Sequence, residues 1–114
     1  GLAGHLMGML DAAGVGAALD LGALPLHPGA KALAARGIRS TLFDQNRQAV
    51  ADRIAAPEGA RADLLFDPQT CGGLLAAVPG DQAERRVAEL REAGFAEAAI
   101  IGRITGDPPR ITAL

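Results

Sequence analysis

Tryptophan and tyrosine are both absent, and three phenylalanines, Phe43, Phe66 and Phe95, are the chain's whole aromatic content. So few rings leave no platform on which nucleobases could stack. Basic clusters are missing as well. The 11 Lys and Arg residues are interspersed with 13 Asp and Glu, for a net charge of −2, so no nucleic-acid footprint is present. A single cysteine, Cys71, excludes an internal disulfide and fits a reducing, cytoplasmic setting. No apolar run approaches the roughly 20 residues that a membrane-spanning helix needs. Of the two histidines, His5 and His27, neither has a Cys or carboxylate at ligand spacing, so no zinc centre is expected. Phosphate-loop and dinucleotide-binding fingerprints are absent too.

The 114 residues, 49% hydrophobic and 21% charged, fit one soluble globular domain over residues 1–114. The chain begins without Met, and Leu2, Leu6, Met9, Leu10 and Ala13 fall at helical spacing. No Ser, Thr, Asp or Asn stands before them as an N-cap, which implies that sequence lies upstream. The apolar residues have no basic region before them and are broken by glycines, so they do not read as a signal peptide. His5 falls on or beside this stripe and reads as a packing or interface residue. His27 lies in a Pro-rich loop and reads as exposed.

Beyond Gly14, a C-terminal stop, the chain alternates short elements. A strand is expected over 15–21, then a loop over 24–29. A helix follows over 30–36, with Pro28 suited to its first turn and Gly37 ending it. A second short helix is expected over 46–54, with Asp44 as its cap and Val50 and Ile54 on one face. Pro57, Glu58 and Gly59 break it. Strands are expected over 64–66 and 74–78. Asp81 and Glu84 resemble a capping box for a helix with Ala83, Val87 and Leu90 on its buried face, Arg91 in its last turn and Gly94 after it. A strand over 98–104 and an edge strand over 111–114 complete the pattern. Strand, helix, strand implies a right-handed crossover between parallel neighbours. The fold class is therefore α+β, layered, with a mixed sheet of four to five strands.

The most heavily specified stretch is Asp67-Pro68-Gln69-Thr70-Cys71-Gly72-Gly73, set between Leu64-Leu65-Phe66 and Leu74-Leu75-Ala76-Ala77-Val78. Proline fixes one φ, and the paired glycines admit backbone conformations closed to other residues. Such a segment either brings main chain close to a ligand or second domain, or serves as a stiff connection with no ligand. The glycines feed a strand and not a helix, so an anion there would lack a helix dipole. Cys71 has no identifiable activating base and reads as a small turn residue.

Residues 67–75 resemble the Asp-Pro-Gln-Thr-Ser-Gly-Gly-Leu-Leu signature of the selenophosphate synthetase (selenide, water dikinase) family. Gly1-Leu2-Ala3-Gly4-His5-Leu6 is similar to the Gly-Leu-Leu-Gly-His-Leu that opens that family's C-terminal domain. Gly14-Val15-Gly16-Ala17, Leu24-Pro25 with Pro28-Gly29, Gly37-Ile38-Arg39-Ser40-Thr41 with Asn46, and Ile101-Gly102-Arg103 follow in the family's order. The resemblance covers nearly the whole chain, with Cys71 standing where the family usually has Ser.

The resemblance implies the C-terminal domain of the aminoimidazole-ribonucleotide-synthetase-like fold. It also implies a parent enzyme that makes selenophosphate from ATP, selenide and water, releasing AMP and phosphate, with Mg2+ required. The family's catalytic Cys or selenocysteine, its partner Lys, its glycine-rich nucleotide segment and a metal-binding Asp lie upstream of Gly1. No catalytic residue and no metal ligand is therefore expected in this chain, which alone should be inactive and hold neither Mg2+ nor ATP. The implied partners are the parent's own N-terminal nucleotide-binding domain and, in the intact enzyme, a second copy. Asp67, Gln69, Thr70, Gly72 and Gly73 form the expected substrate- and phosphate-facing loop, with Asp67 placed to hold a metal-bound water and Gln69 and Thr70 to donate to phosphate oxygens. The alternative is a non-catalytic docking or structural module, or a degenerate homologue, including one fused to an oxidoreductase.

Overall fold

A computed structural model describes residues 1–114. The first helix, α1 (Leu2–Ala13), ends where Gly14 donates its N–H back to the Leu10 carbonyl at 2.8 Å. Its buried residues are Ala3, Leu6, Met7 and Leu10. The apolar stripe is therefore rotated from the expected one, with Met9 and Ala13 exposed and His5 in solvent beside it, not packed.

The strand β1 (Gly16–Leu19) follows at once and is buried at all four positions. Small residues make this possible, because a strand covered on both faces has space only for side chains that fit between layers. Next come α2 (Ala30–Ala35) and α3 (Phe43–Gln48), then a 3₁₀ turn over Ala51–Arg53 that leads into β2 (Ile54–Ala55). The helix expected over 46–54 thus starts earlier, takes Asp44 into its first turn instead of using it as a cap, and stops short, with Ile54 in a strand. A one-turn helix, α4 (Ala60–Asp63), runs directly into a 3₁₀ turn over Leu64–Phe66.

The strands expected over 64–66 and 74–78 do not form. Leu65 and Phe66 are both buried, so this pair of neighbours follows the close spacing of a helical turn, not the alternation of a strand. Residues 73–79 take no regular structure. The expected parallel crossover is lost with them.

The last helix, α5 (Ala83–Glu92), is preceded by a 3₁₀ turn over Gly80–Gln82. The expected capping box is absent: Asp81 lies within the 3₁₀ turn, Gln82 takes the cap position, and no side chain bonds the first turn of the helix. None of its residues is buried, and Leu90, expected on a buried face, is exposed. The chain closes with β3 (Gly102–Thr105) and β4 (Ile111–Ala113).

The four strands form one mixed sheet in the order β2-β4-β1-β3. β1 pairs antiparallel with β3 and parallel with β4, which also pairs parallel with β2. The strand expected at an edge is thus an interior one, with Ile111 and Ala113 buried and Thr112 exposed between them. A single core of 15 buried residues joins α1, the sheet strands β1 and β4, Phe43, Val50 and the Leu65–Phe66 pair. The mixture of helices and mixed sheet is the expected α+β class.

Candidate functional site

The 67–73 loop leaves the core at Phe66, and its root is fixed from several sides. The Phe66 ring meets Phe43 edge-on, with centroids 5.9 Å apart and planes at 90°, the arrangement that ring quadrupoles favour. The Arg39 guanidinium lies over Phe43 at 4.9 Å and pairs with Asp63, so cation, ring and carboxylate stack beside the loop's entrance. From α3, the Asn46 side-chain amide donates to the Phe66 carbonyl at 2.9 Å. From α1, Gly1 approaches so closely that a β-carbon there would lie 2.7 Å from the Leu65 oxygen and 2.9 Å from the Phe66 carbonyl carbon. Only glycine permits that contact.

Past this root the loop rises into solvent. Asp67 takes an extended backbone with φ −69° and ψ 123°, and both it and Pro68 are half-buried. Gln69, Thr70, Gly72 and Gly73 are exposed. The expected site residues therefore lie on one short loop, anchored at the Asp67 end and open at the other. Within the loop, Gln69 folds back over Gly72, where a β-carbon would meet the Gln69 amide oxygen. Cys71 holds φ at +56°, a left-handed conformation in which a side chain is strained by about 1 kcal/mol. Its thiol is free and exposed. Leu74, just beyond, is 96% exposed.

Two concavities flank the loop's root. A hollow of about 60 Å³ lies among Gly1, Gly4, Asn46, Ala49, Leu65 and Phe66. A broader cleft of about 500 Å³ runs past Arg39, Arg47, Glu58, Asp63 and Phe66. No three His, Cys, Asp or Glu side chains come together as metal ligands. His27 is exposed. No helix is long and apolar enough to cross a membrane. On α5, hydrogen bonds from Arg85 and then Arg86 hold the Glu89 carboxyl below the usual carboxylate range.

The motif announced the loop; Gly1, Arg39 and Asn46 stood in the family pattern too, but nothing in the sequence tied them to the loop as its supports. Asn46 and Phe66 are 20 residues apart, and Arg39 and Asp63 are 24 apart. A polar residue on a short helix gives no local sign of which carbonyl it will reach.

Comparison with known proteins agrees with the motif. The profile for "AIR synthase related protein, C-terminal domain" matches residues 1–113. Over 114 aligned residues, 97% of this chain, there is 34% identity to a selenide, water dikinase of Pseudomonas straminea and 40% to one of Myxococcus xanthus. A selenide, water dikinase of Bordetella bronchiseptica is 42% identical over 85 residues, 74% of this chain and 25% of that protein. The chain spans about a third of the length of the first two, 32% in each case.

Proposed function

The chain belongs to the AIR synthase related protein C-terminal domain family, and on that premise we propose that it is the C-terminal domain of a selenophosphate synthetase. The reaction of the whole protein would convert ATP, selenide and water to selenophosphate, AMP and phosphate. One observation carries the reading: residues 67–73, the stretch that marks the selenide, water dikinases, stand on an exposed loop with a rigidly held root. Alignment to enzymes of that name over 97% of the chain supports it.

In this reading the domain walls one side of an active site completed by an upstream nucleotide-binding domain. Phosphoryl transfer depends on positioning and on neutralising developing charge. Gln69 and Thr70 supply neutral hydrogen-bond donors, Gly72 and Gly73 allow main chain close to a ligand, and Asp67 supplies a carboxylate at the loop's root. Mg2+ is commonly held by one or two carboxylates together with substrate phosphates and waters, so Asp67 alone would supply no more than one ligand or a contact to a metal-bound water. ATP and Mg2+ are assigned to the upstream domain, and the isolated chain is inactive. A homodimeric, cytoplasmic parent enzyme belongs to the same proposal.

A second reading makes the loop an interdomain brace. The fold of Gln69 back onto Gly72 favours it, since that contact stiffens the loop without a ligand. Gln69→Ala and Thr70→Ala in the full-length polypeptide separate the two. An active-site wall predicts a loss in selenide-dependent AMP formation of about 10-fold or more with thermal stability unchanged. Unchanged turnover in both variants would overturn the active-site role and leave the brace.

A further inference from the structure

The peptide that joins Phe66 to Asp67 is pinned at both of its polar atoms. Its carbonyl accepts from Asn46 Nδ2 at 2.9 Å, and its N–H donates to the Leu64 carbonyl at 3.4 Å. A peptide unit is planar, so holding its oxygen and its nitrogen fixes the direction in which the chain leaves it. The Leu64 bond is long and the Asn46 bond is short, so Asn46 does more of the holding. Gly1 packs against the remaining side, where a β-carbon would lie 2.7 Å from the Leu65 oxygen, 2.9 Å from the Phe66 carbonyl carbon and 3.0 Å from the Asp67 oxygen. Beyond this peptide comes Pro68, whose ring fixes φ and restricts Asp67 to the extended backbone seen here. Orientation set at residue 66 is therefore carried to Gln69 and Thr70 with little freedom to dissipate.

We propose that Asn46 is a positioning residue for the reaction, aiming the 67–73 loop through its hydrogen bond to the Phe66 carbonyl. The inference rests on the reading of that loop as an active-site wall. Asn46 touches no substrate in this arrangement. It fixes the peptide from which the substrate-facing side chains project, and such groups lose effect steeply with displacement. The adjacent 60 Å³ hollow leaves space for a longer amide at this position. That predicts that Asn46→Gln retains the function while variants without a donor do not.

Three variants of the full-length polypeptide test this: Asn46→Asp, which puts an acceptor where the donor stood, Asn46→Leu, an apolar replacement of similar size, and Asn46→Gln. Selenide-dependent AMP formation and amide hydrogen exchange are measured on each. Asn46→Asp and Asn46→Leu should lower kcat by about 10- to 100-fold with KM for ATP nearly unchanged. They should speed exchange in residues 67–73 and leave the strands β1 and β4 as in wild type. Asn46→Gln should restore most of both properties. Equal impairment of the Gln and Leu variants overturns the proposal, as does unchanged exchange across 67–73. If Gln69→Ala loses activity while Asn46→Leu keeps it, the positioning role fails and the wall reading stands. If Gln69→Ala, Thr70→Ala and Asn46→Leu all keep activity, the wall reading fails, and the positioning of this reaction fails with it.

Discussion

Gln69 lies so close over Gly72 that a β-carbon at position 72 would come within 2.7 Å of the Gln69 amide oxygen and 3.1 Å of its Cβ. The two residues pack closely in a loop otherwise open to solvent. Gly72→Ala must push the Gln69 side chain aside, and an exposed side chain can move at little cost in stability. Thermal unfolding of Gly72→Ala should match wild type to within about 1 kcal/mol. Turnover of the full-length polypeptide should fall by about 10-fold if Gln69 works from its observed position. Paired melting curves and steady-state assays check both halves.

Leu10 is 1% exposed and lies in the core between α1 and the sheet. Its truncation removes buried methyl groups and leaves a cavity that the sheet cannot fill by a small shift. Leu10→Ala should cost about 3 kcal/mol, read from the midpoint of urea unfolding at constant m-value. The same truncation at Leu90 on α5, which is exposed, should cost much less.

Glu89 gives an acid-side prediction. Hydrogen bonds from Arg85 at 2.8 Å and Arg86 at 3.0 Å favour its charged form and hold its pKa below the ordinary value. The folded-state value is the lower one, so the support is complete above the ordinary carboxylate pKa and disappears as pH falls through the folded value. Amide exchange in α5 should become faster relative to β1 across that acid range. Glu89→Gln should abolish the change, and high salt should weaken it because the pairs are exposed.

Cys71 carries a side chain in a left-handed conformation, with φ at +56°. Cys71→Gly should relieve that strain and stabilise the fold by a few tenths to about 1 kcal/mol, offset in part by a more flexible unfolded chain. Cys71→Ser should leave stability and turnover near wild type. In the folded chain the thiol should titrate fully with a thiol reagent, because it is exposed.

The elements legible in the sequence were those marked by local chemistry. α1 with its Gly14 stop, the short helix after Gly29 and the strands near both ends of the chain stand close to where spacing and punctuation put them. Leu64-Leu65-Phe66 misled, because a three-residue apolar run fits a buried helical turn as well as a strand. Leu74 to Val78 has strand composition, yet strand formation needs a ladder partner and none is paired to it here. The position of β4 inside the sheet was equally hidden, since strand order is set by packing between distant segments. For the site, the motif identified the loop and its exposed residues. Gly1, Arg39 and Asn46 stood in the family pattern, but their role as supports was not legible, because each acts on a partner far along the chain.

The sheet order bears on how the protein is made. β4, which joins β1 to β2, lies roughly ninety residues downstream of β1, so at translation rates of roughly 5–20 residues per second the two wait several seconds for the strand that links them. Throughout that interval the apolar β1 segment travels without its parallel neighbour. Chains ending just before Ile111 should therefore be captured by chaperones far more readily than chains that extend through Ala113.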